Sequence, residues 1–499
     1  MTGTGRRTWL PQLGQAVGVS LLWLAGDVLA SNGMSAPGTG AVQLGMAGAG
    51  TALAADASAT LRNPAAGAWL GNSRTAELGI AIPDGGYRAG PRGDNAPLGL
   101  LDVTPGRVTS VTGVFPIPSF ARNWQLNDRT AVGWGFSASG LKALSKAGSA
   151  TLARSVPIFE ARCDGTFGGG QPLSARTDLT QLCGAGATTL GVDLTQLLVS
   201  AHWARMVLPG LSVGIAPVIA GQRIELKGLG AFATFSNFQD QTTDRGFDYA
   251  YGGGARIGVL WDTGYGIGFG AAYQTRLYQT DFDKYRGAII GGSLDFAPTL
   301  NLGMQVHLRD GHRLFVDYEQ VRYGDVRPLA NRVEPQRFTD GCFVPRLISR
   351  NLPNPPALGA CLGAHDGPGF GWDTINVYKI GYQGSRNRLS WRAGYSWGGN
   401  PVVPDQVLPK IFAPAITDRH AALGLSWRFL SQLDLGWALI YAIKNTTREP
   451  NTLSSARLTL FQGEPLSFDV GKDPADQTVD THISVWQSQF SMTWHLGHR

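Results

Sequence analysis

Residues able to do chemistry are few in this 499-residue chain, and their spacing argues against catalysis. Ser200 and His202 stand two apart in an alternating segment and would share one strand face. Neighbours on such a face are about 7 Å apart, beyond the hydrogen-bond reach that a nucleophile needs from its base. The eight His show no HExxH or other metal-ligand spacing. Gly45-Met46-Ala47-Gly48-Ala49-Gly50 could cradle a phosphate, but no strand precedes it and no βαβ unit surrounds it. The chain is therefore read as no enzyme, with no cofactor and no metal. What remains are cations and rings. Strand alternation turns Arg256, Lys379 and Arg392 inward, where a cation could hold a carboxylate by a charge-assisted hydrogen bond. Asp317 and Glu319 turn inward too, so pairing among these charges is the competing reading. Phe232, Phe235 and Phe238 recur every three residues beside Leu229, in a stretch that should be an exposed loop. Phe282 and Tyr285 stand in the next long loop. Rings in such positions suggest a hydrophobic capture surface, the alternative being loops packed onto their neighbours.

The elements that would position these groups are strands. With 68 Gly and 16% charged residues, the chain departs from the ~7% Gly and ~25% charge of average proteins. That excludes a coiled coil, and the 43% hydrophobic content, with 14 Trp, 13 Tyr and 21 Phe, argues against disorder. Mean hydropathy is only −0.05, and past the first thirty residues no apolar run nears the ~18–20 residues of a spanning helix. Hydrophobic residues are dispersed in alternation instead. In 481–496, Trp486, Phe490, Met492, Trp494 and Leu496 fall on one face and Gln487, Gln489, Ser491, Thr493 and His495 on the other. The same period-two pattern predicts strands near 74–82, 111–124, 130–139, 193–206, 211–226, 249–261 and 265–276. The second half gives 293–306, 312–323, 372–383, 388–397, 419–428, 432–444 and 481–496. Six connections are short turns and seven are long. An even number of one-side-apolar strands with short turns at one end and long loops at the other describes an all-β, 14-stranded antiparallel transmembrane β-barrel. Closure follows because lipid satisfies no open edge. Of the twelve Trp beyond residue 30, the prediction puts all but Trp69 in strands, as interfacial girdles would. A soluble sandwich or propeller would not produce the short/long rhythm.

Residues 1–30 read as a cleaved signal peptide. Arg6 and Arg7 precede an apolar stretch from Ala16 to Ala25, and Val28-Leu29-Ala30 suits cleavage before Ser31. Export makes the four cysteines readable as disulfides. Three connectivities are possible; the sequence-local pairs Cys163–Cys183 and Cys342–Cys361 are preferred, each pinning a long loop. Metal binding is the weaker option, with no CxxC and only His365 nearby. Residues 31–72 lack alternation and are rich in Gly and Ala, which suits a compact N-terminal hatch, or plug, packed closely against other backbone. The barrel with its loops occupies 73–499, the long loops lying at about 140–192, 227–248, 277–292, 324–371 and 445–480. The net charge of +6 is small for this length, and no basic run suggests nucleic acid.

Several motifs, in order, resemble one family. Gly45-Met46-Ala47-Gly48-Ala49-Gly50, then Asp56-Ala57-Ser58-Ala59 and Asn63-Pro64-Ala65, look like the N-terminal hatch of the FadL (OMPP1/TodX) family of outer-membrane transporters of long-chain fatty acids and aromatic hydrocarbons. Pro118-Ser119, Asp244-Arg245-Gly246, Tyr251-Gly252-Gly253-Gly254 and Asp317-Tyr318-Glu319-Gln320-Val321-Arg322-Tyr323 continue the likeness. Gly369-Phe370-Gly371-Trp372 and Arg392-Ala393-Gly394-Tyr395-Ser396 with Asn400-Pro401 extend it to about residue 428. The resemblance implies a plugged fourteen-stranded barrel. Substrate would be caught at exterior loops, pass to a luminal site at the hatch and leave through the barrel wall. It makes Asn63, Pro64 and Ala65 the hatch motif, and Gly133 and Gly135 on the third strand the candidate lateral opening. It also places Phe232, Phe235 and Phe238 in the loop of the outer ligand groove. The chain departs from the family in its long 140–192 loop and in ending on Gly497-His498-Arg499 rather than an aromatic.

These readings point to passive movement of hydrophobic small molecules across the outer membrane by a monomer bathed in lipid and lipopolysaccharide. A general diffusion porin would need no glycine-rich plug or loop phenylalanines. A structural or adhesive barrel would tolerate loss of Asn63.

Overall fold

The computed structural model describes residues 32–91, 102–160, 188–349, 356–454, 457–459, 467–469 and 476–496. The expected signal peptide, the Cys163–Cys183 pair and the terminal Gly497-His498-Arg499 lie outside the described residues. Fourteen long strands form one ring. They are β1 (Ser73–Ala89), β2 (Phe115–Asn127), β3 (Thr130–Lys146), β4 (Thr189–Leu208), β5 (Leu211–Lys227), β6 (Asp248–Asp262) and β7 (Ile267–Gln274). The second half adds β8 (Thr299–Arg309), β9 (His312–Val321), β10 (Ile375–Arg386), β11 (Leu389–Gly398), β12 (Arg419–Leu430), β13 (Leu433–Asn451) and β14 (Gln477–His495). Each pairs antiparallel with its sequence neighbours, and β1 pairs with β14 from Ser73↔His495 to Ala89↔Val479, closing the barrel.

All fourteen strands lie where alternation predicts them, and the physical reason is visible on both faces. Outward positions carry Leu78, Ile82, Trp134, Trp203, Ile219, Trp261, Phe269, Leu423, Trp427, Trp486 and Phe490, all exposed. Inward positions on the same strands carry buried polar groups such as Gln222, Asp317, Lys379 and Gln489. Short turns join β2–β3, β4–β5, β6–β7, β8–β9, β10–β11 and β12–β13, and Gly210 and Gly311 supply left-handed backbone in two of them. Register shifts next to four of these turns, between Gln125/Asn127, Met206/Leu208, His307/Arg309 and Arg428/Leu430, mark bulges that help curve the sheet.

Three details differ from expectation. Several strands run past the predicted ends: β4 has 20 residues, twice the ~9–11 that span a bilayer, so the barrel projects beyond lipid at the long-loop end. The second strand starts at Phe115 rather than 111, and the eighth at Thr299 rather than 293. Trp372 is not in β10, whose pairing begins at Ile375↔Val321. Gly371 turns the chain with φ 65° just beforehand, and Trp372 is buried among loop residues, 5.1 Å from the Tyr323 ring. The long loops share a large apolar core that includes Phe235, Phe282, Tyr285, Phe338, Phe343 and Phe412. Cys342 and Cys361 are bonded within it.

Candidate functional site

Residues 32–72 lie inside the ring, almost wholly buried. The segment has little regular structure: a short helix at Gly40–Leu44 and 3-10 turns at Ala57–Leu61 and Pro64–Trp69. Inward glycines of the barrel let its backbone come close. A Cβ on Gly258 would sit 2.1 Å from Asn63 Oδ1, one on Gly214 would sit 2.4 Å from Ala65 N, and one on Gly394 would meet Met46 backbone at 2.2 Å. Much of the glycine excess of the strands is thus a mould for this segment.

Asn63 ties this segment both to itself and to the wall. Its Nδ2 donates to Thr51 O at 3.1 Å and to Val259 O on β6 at 3.0 Å, while Oδ1 caps the following turn by accepting from Ala65 N at 3.1 Å. Charged groups do the rest. Asp317 accepts from Thr51 N at 2.8 Å and from Gly50 N. Glu77 accepts from Ala41 N at 2.9 Å and from the Ser119 hydroxyl at 2.6 Å. Arg62 donates to Glu319 at 3.1 Å and to Gly48 O at 3.0 Å. Tyr323 Oη accepts from Met34 N and Ser35 N and donates to Asn32 O.

Between this segment and the wall lies a luminal cavity of about 150 Å³, lined by Gly38, Leu61 and Arg62 of the segment and, from the wall, by Arg256, Ile117, Ser119, Ser137, Ala138 and Ser139. Those last five residues border a break in the wall. The β2–β3 ladder runs from Asn127↔Thr130 to Ser119↔Ser137 and stops; contact resumes where Val111 N donates to Leu144 O at 2.8 Å and Ser110 pairs with Ser145. Prolines explain it. Alternate residues of an antiparallel strand turn their N–H groups to opposite neighbours, so Pro116 and Pro118 lack donors on one and the same edge. Since β2 remains paired to β1 through Phe115–Asn123, the deficient edge is the one facing β3.

Above the lumen, the loops enclose a second, apolar cavity of about 100 Å³. Its walls include Phe159, Leu229, Phe232, Phe338, Phe370 and Phe412. Phe159 meets Phe232 edge-on at 5.1 Å.

No family model matches the chain, and no curated protein matches it. Solved structures do. The Pseudomonas putida toluene transporter TodX aligns at TM-score 0.55 with 15% identity, over 93% of this chain and 100% of that one. A Pseudomonas aeruginosa FadL homologue gives 0.55 at 14%, covering 92% and 98%. The Ralstonia pickettii toluene transporter TbuX gives 0.51 at 14%, covering 92% and 99%.

The chain has the fold of these transporters.

Within that fold the candidate residues separate. Asn63, Pro64 and Ala65 come together against Gly214 and Gly258. Phe232 lines the outer cavity; Phe235, Phe282 and Tyr285 are fully buried in the loop core, and Phe238 is 44% exposed away from the cavity. Phe235 packs on Phe338 and Phe343. Gly133 and Gly135 face inward, against His202 and Leu61, and the ladder is continuous past both, the break lying further along β3. Arg256 lines the luminal cavity but donates to Leu61 O and Gln274. Lys379 is held by Glu319 and Pro37 O, and Arg392 by Gln383 at 2.8 Å and Ser426 at 2.7 Å. His202 bonds Asn123 at 2.8 Å. Sequence reasoning did not single out Glu77 or Pro116, and it quoted Pro118 and Phe370 only within motifs of the family resemblance, with no role in a break or a cavity. The Pro-x-Pro spacing within a strand was the available signal for the break.

Proposed function

We propose that this chain belongs to the FadL family and is a passive outer-membrane channel for hydrophobic compounds. In this reading the apolar loop cavity captures the molecule, residues 32–72 act as a plug that closes the polar lumen to ions, and the break between β2 and β3 releases the molecule sideways into the bilayer. The observation that carries the reading is the conjunction of that break with the luminal cavity: the same residues, Ile117 and Ser137–Ser139, border both. A general porin would have an open lumen, and an adhesive barrel would have no use for a lateral opening. The named relatives in fold are transporters of toluene and a FadL homologue, which supports a lipophilic substrate.

Neutral hydrocarbons fit better than fatty acids. An apolar cavity of about 150 Å³ is on the scale that binds benzene, and the outer cavity of about 100 Å³ approaches it. Arg256, Lys379 and Arg392 each already hold protein oxygens. A carboxylate would have to displace those bonds.

Planar-bilayer conductance of the protein lacking residues 32–72 tests the plug. A large ohmic conductance, absent from the intact protein, is expected. Equal conductance for both would refute the plug assignment and the sideways route with it.

A further inference from the structure

We propose that the outward face where β13, β14 and β1 meet binds the phosphate of a phosphorylated glycolipid headgroup in the outer leaflet, lipid A being the test ligand. Beyond its apolar rings, this face carries a cross-strand row. Arg448 on β13 is opposite Asp480 on β14, Asp480 is opposite Arg88 on β1, and Arg88 is directly opposite Arg107 on the short strand Gly106–Thr109. Lys444 and His482 flank the row, and an open groove of about 950 Å³ is lined by Arg88, Arg107, Lys444, Asp480 and His482.

Among the described residues the charge of this row does not balance. Asp480 is the one carboxylate of the row, and it lies 3.6 Å from Arg448; Asp84, nearer the membrane, is the other acid on this face. Arg88, Arg107 and Lys444 are exposed and contact no carboxylate among the described residues. Like charges set directly opposite on a sheet repel and destabilise it. An anion between Arg88 and Arg107 removes that repulsion, and guanidinium pairs bind phosphate oxygens with matched geometry.

Height selects a lipid headgroup. Arg88 is fifteen residues beyond Ser73 on β1. At ~3.3 Å per residue and a tilt near 40°, that is about 38 Å up the barrel, above the ~25 Å apolar band. Six residues further down β1, below the rows of Gly86 with His482 and Asp84 with Ser484, the outward row is Ile82, Trp486 and Tyr441, with the last two rings stacked at 4.2 Å. Acyl chains would lie on this apolar row while the phosphate meets the arginines.

The inference rests on outer-membrane placement and not on transport, and fractionation of the same cells reports placement separately. The test is native mass spectrometry of the full-length barrel extracted from cells with ordinary lipid A and from cells whose lipid A is enzymatically dephosphorylated. The wild-type protein should carry a lipid A adduct that falls at least tenfold in R88Q/R107Q/K444Q, with retained heat-modifiable mobility showing that the variant is folded. The adduct should fall equally when wild-type protein comes from dephosphorylated lipid A, and should be unchanged by Arg386→Gln at the opposite end. An adduct indifferent to both the substitutions and the phosphates would overturn the proposal. So would an equal loss in R386Q, or displacement of the lipid by millimolar inorganic phosphate.

Discussion

If Asn63 latches the plug, then perturbing either side of its contact with β6 should unseat the plug in a related way. Asn63→Ala removes a capping bond worth about 1 kcal/mol and two buried hydrogen bonds worth about 1 kcal/mol each. The expected loss is about 3 kcal/mol of plug seating, or on the order of 100-fold in the open fraction. Gly258→Ala attacks from the other side, because its Cβ would overlap Asn63 Oδ1 at 2.1 Å and press Pro64 Cδ at 2.9 Å. Asn63 must then give up its bond to Val259 O. The double variant is the sharper test. With Oδ1 gone, the new methyl meets only the proline ring, so N63A/G258A should cost at least about 1 kcal/mol less than the sum of the single variants. The assay is the frequency and lifetime of ion-conducting openings in planar bilayers. Both single variants should flicker open where the parent stays closed. Additive effects, or no openings in N63A, would refute the latch.

Three further outcomes are expected. P116A/P118A restores two donors on the β2 edge, so β2 can zip to β3; toluene uptake should fall severalfold while hydrogen exchange of residues 138–143 slows. Phe232→Ala removes an aromatic wall of the outer cavity, and burial of such a ring is worth about 1.5–3 kcal/mol; half-saturation for uptake should rise at least tenfold, while Phe238→Ala leaves it unchanged. C342S/C361S releases a bridge of sequence separation 19, worth about 3 kcal/mol, and limited proteolysis should cut within 324–371 faster than in the parent.

The barrel was legible because its two solvents impose opposite demands on alternate residues, and because short turns leave compact signatures such as Leu208-Pro209-Gly210. The inward placement of Arg256, Lys379, Asp317 and Glu319 followed from the same alternation. What alternation could not give is whom an inward charge meets: Lys379 engages Glu319 and the backbone at Pro37, 342 residues away. The loops were least legible. Phe235 and Phe282 lie at the tip of the barrel but are fully buried, since several loops fold together over its mouth and make a core that no local pattern encodes. The break in the wall depends on edge direction: glycines on β3 show which way a strand faces, whereas prolines on β2 decide which neighbour loses its hydrogen bonds.

The central claim is that hydrophobic molecules, and not polar solutes, pass through this barrel. Its most direct test is uptake of labelled toluene and oleate by a strain lacking such transporters and expressing this chain, with glucose as control. Toluene uptake should quicken, oleate less so, and glucose not at all. Faster glucose uptake, or no change for any of the three, would contradict the account.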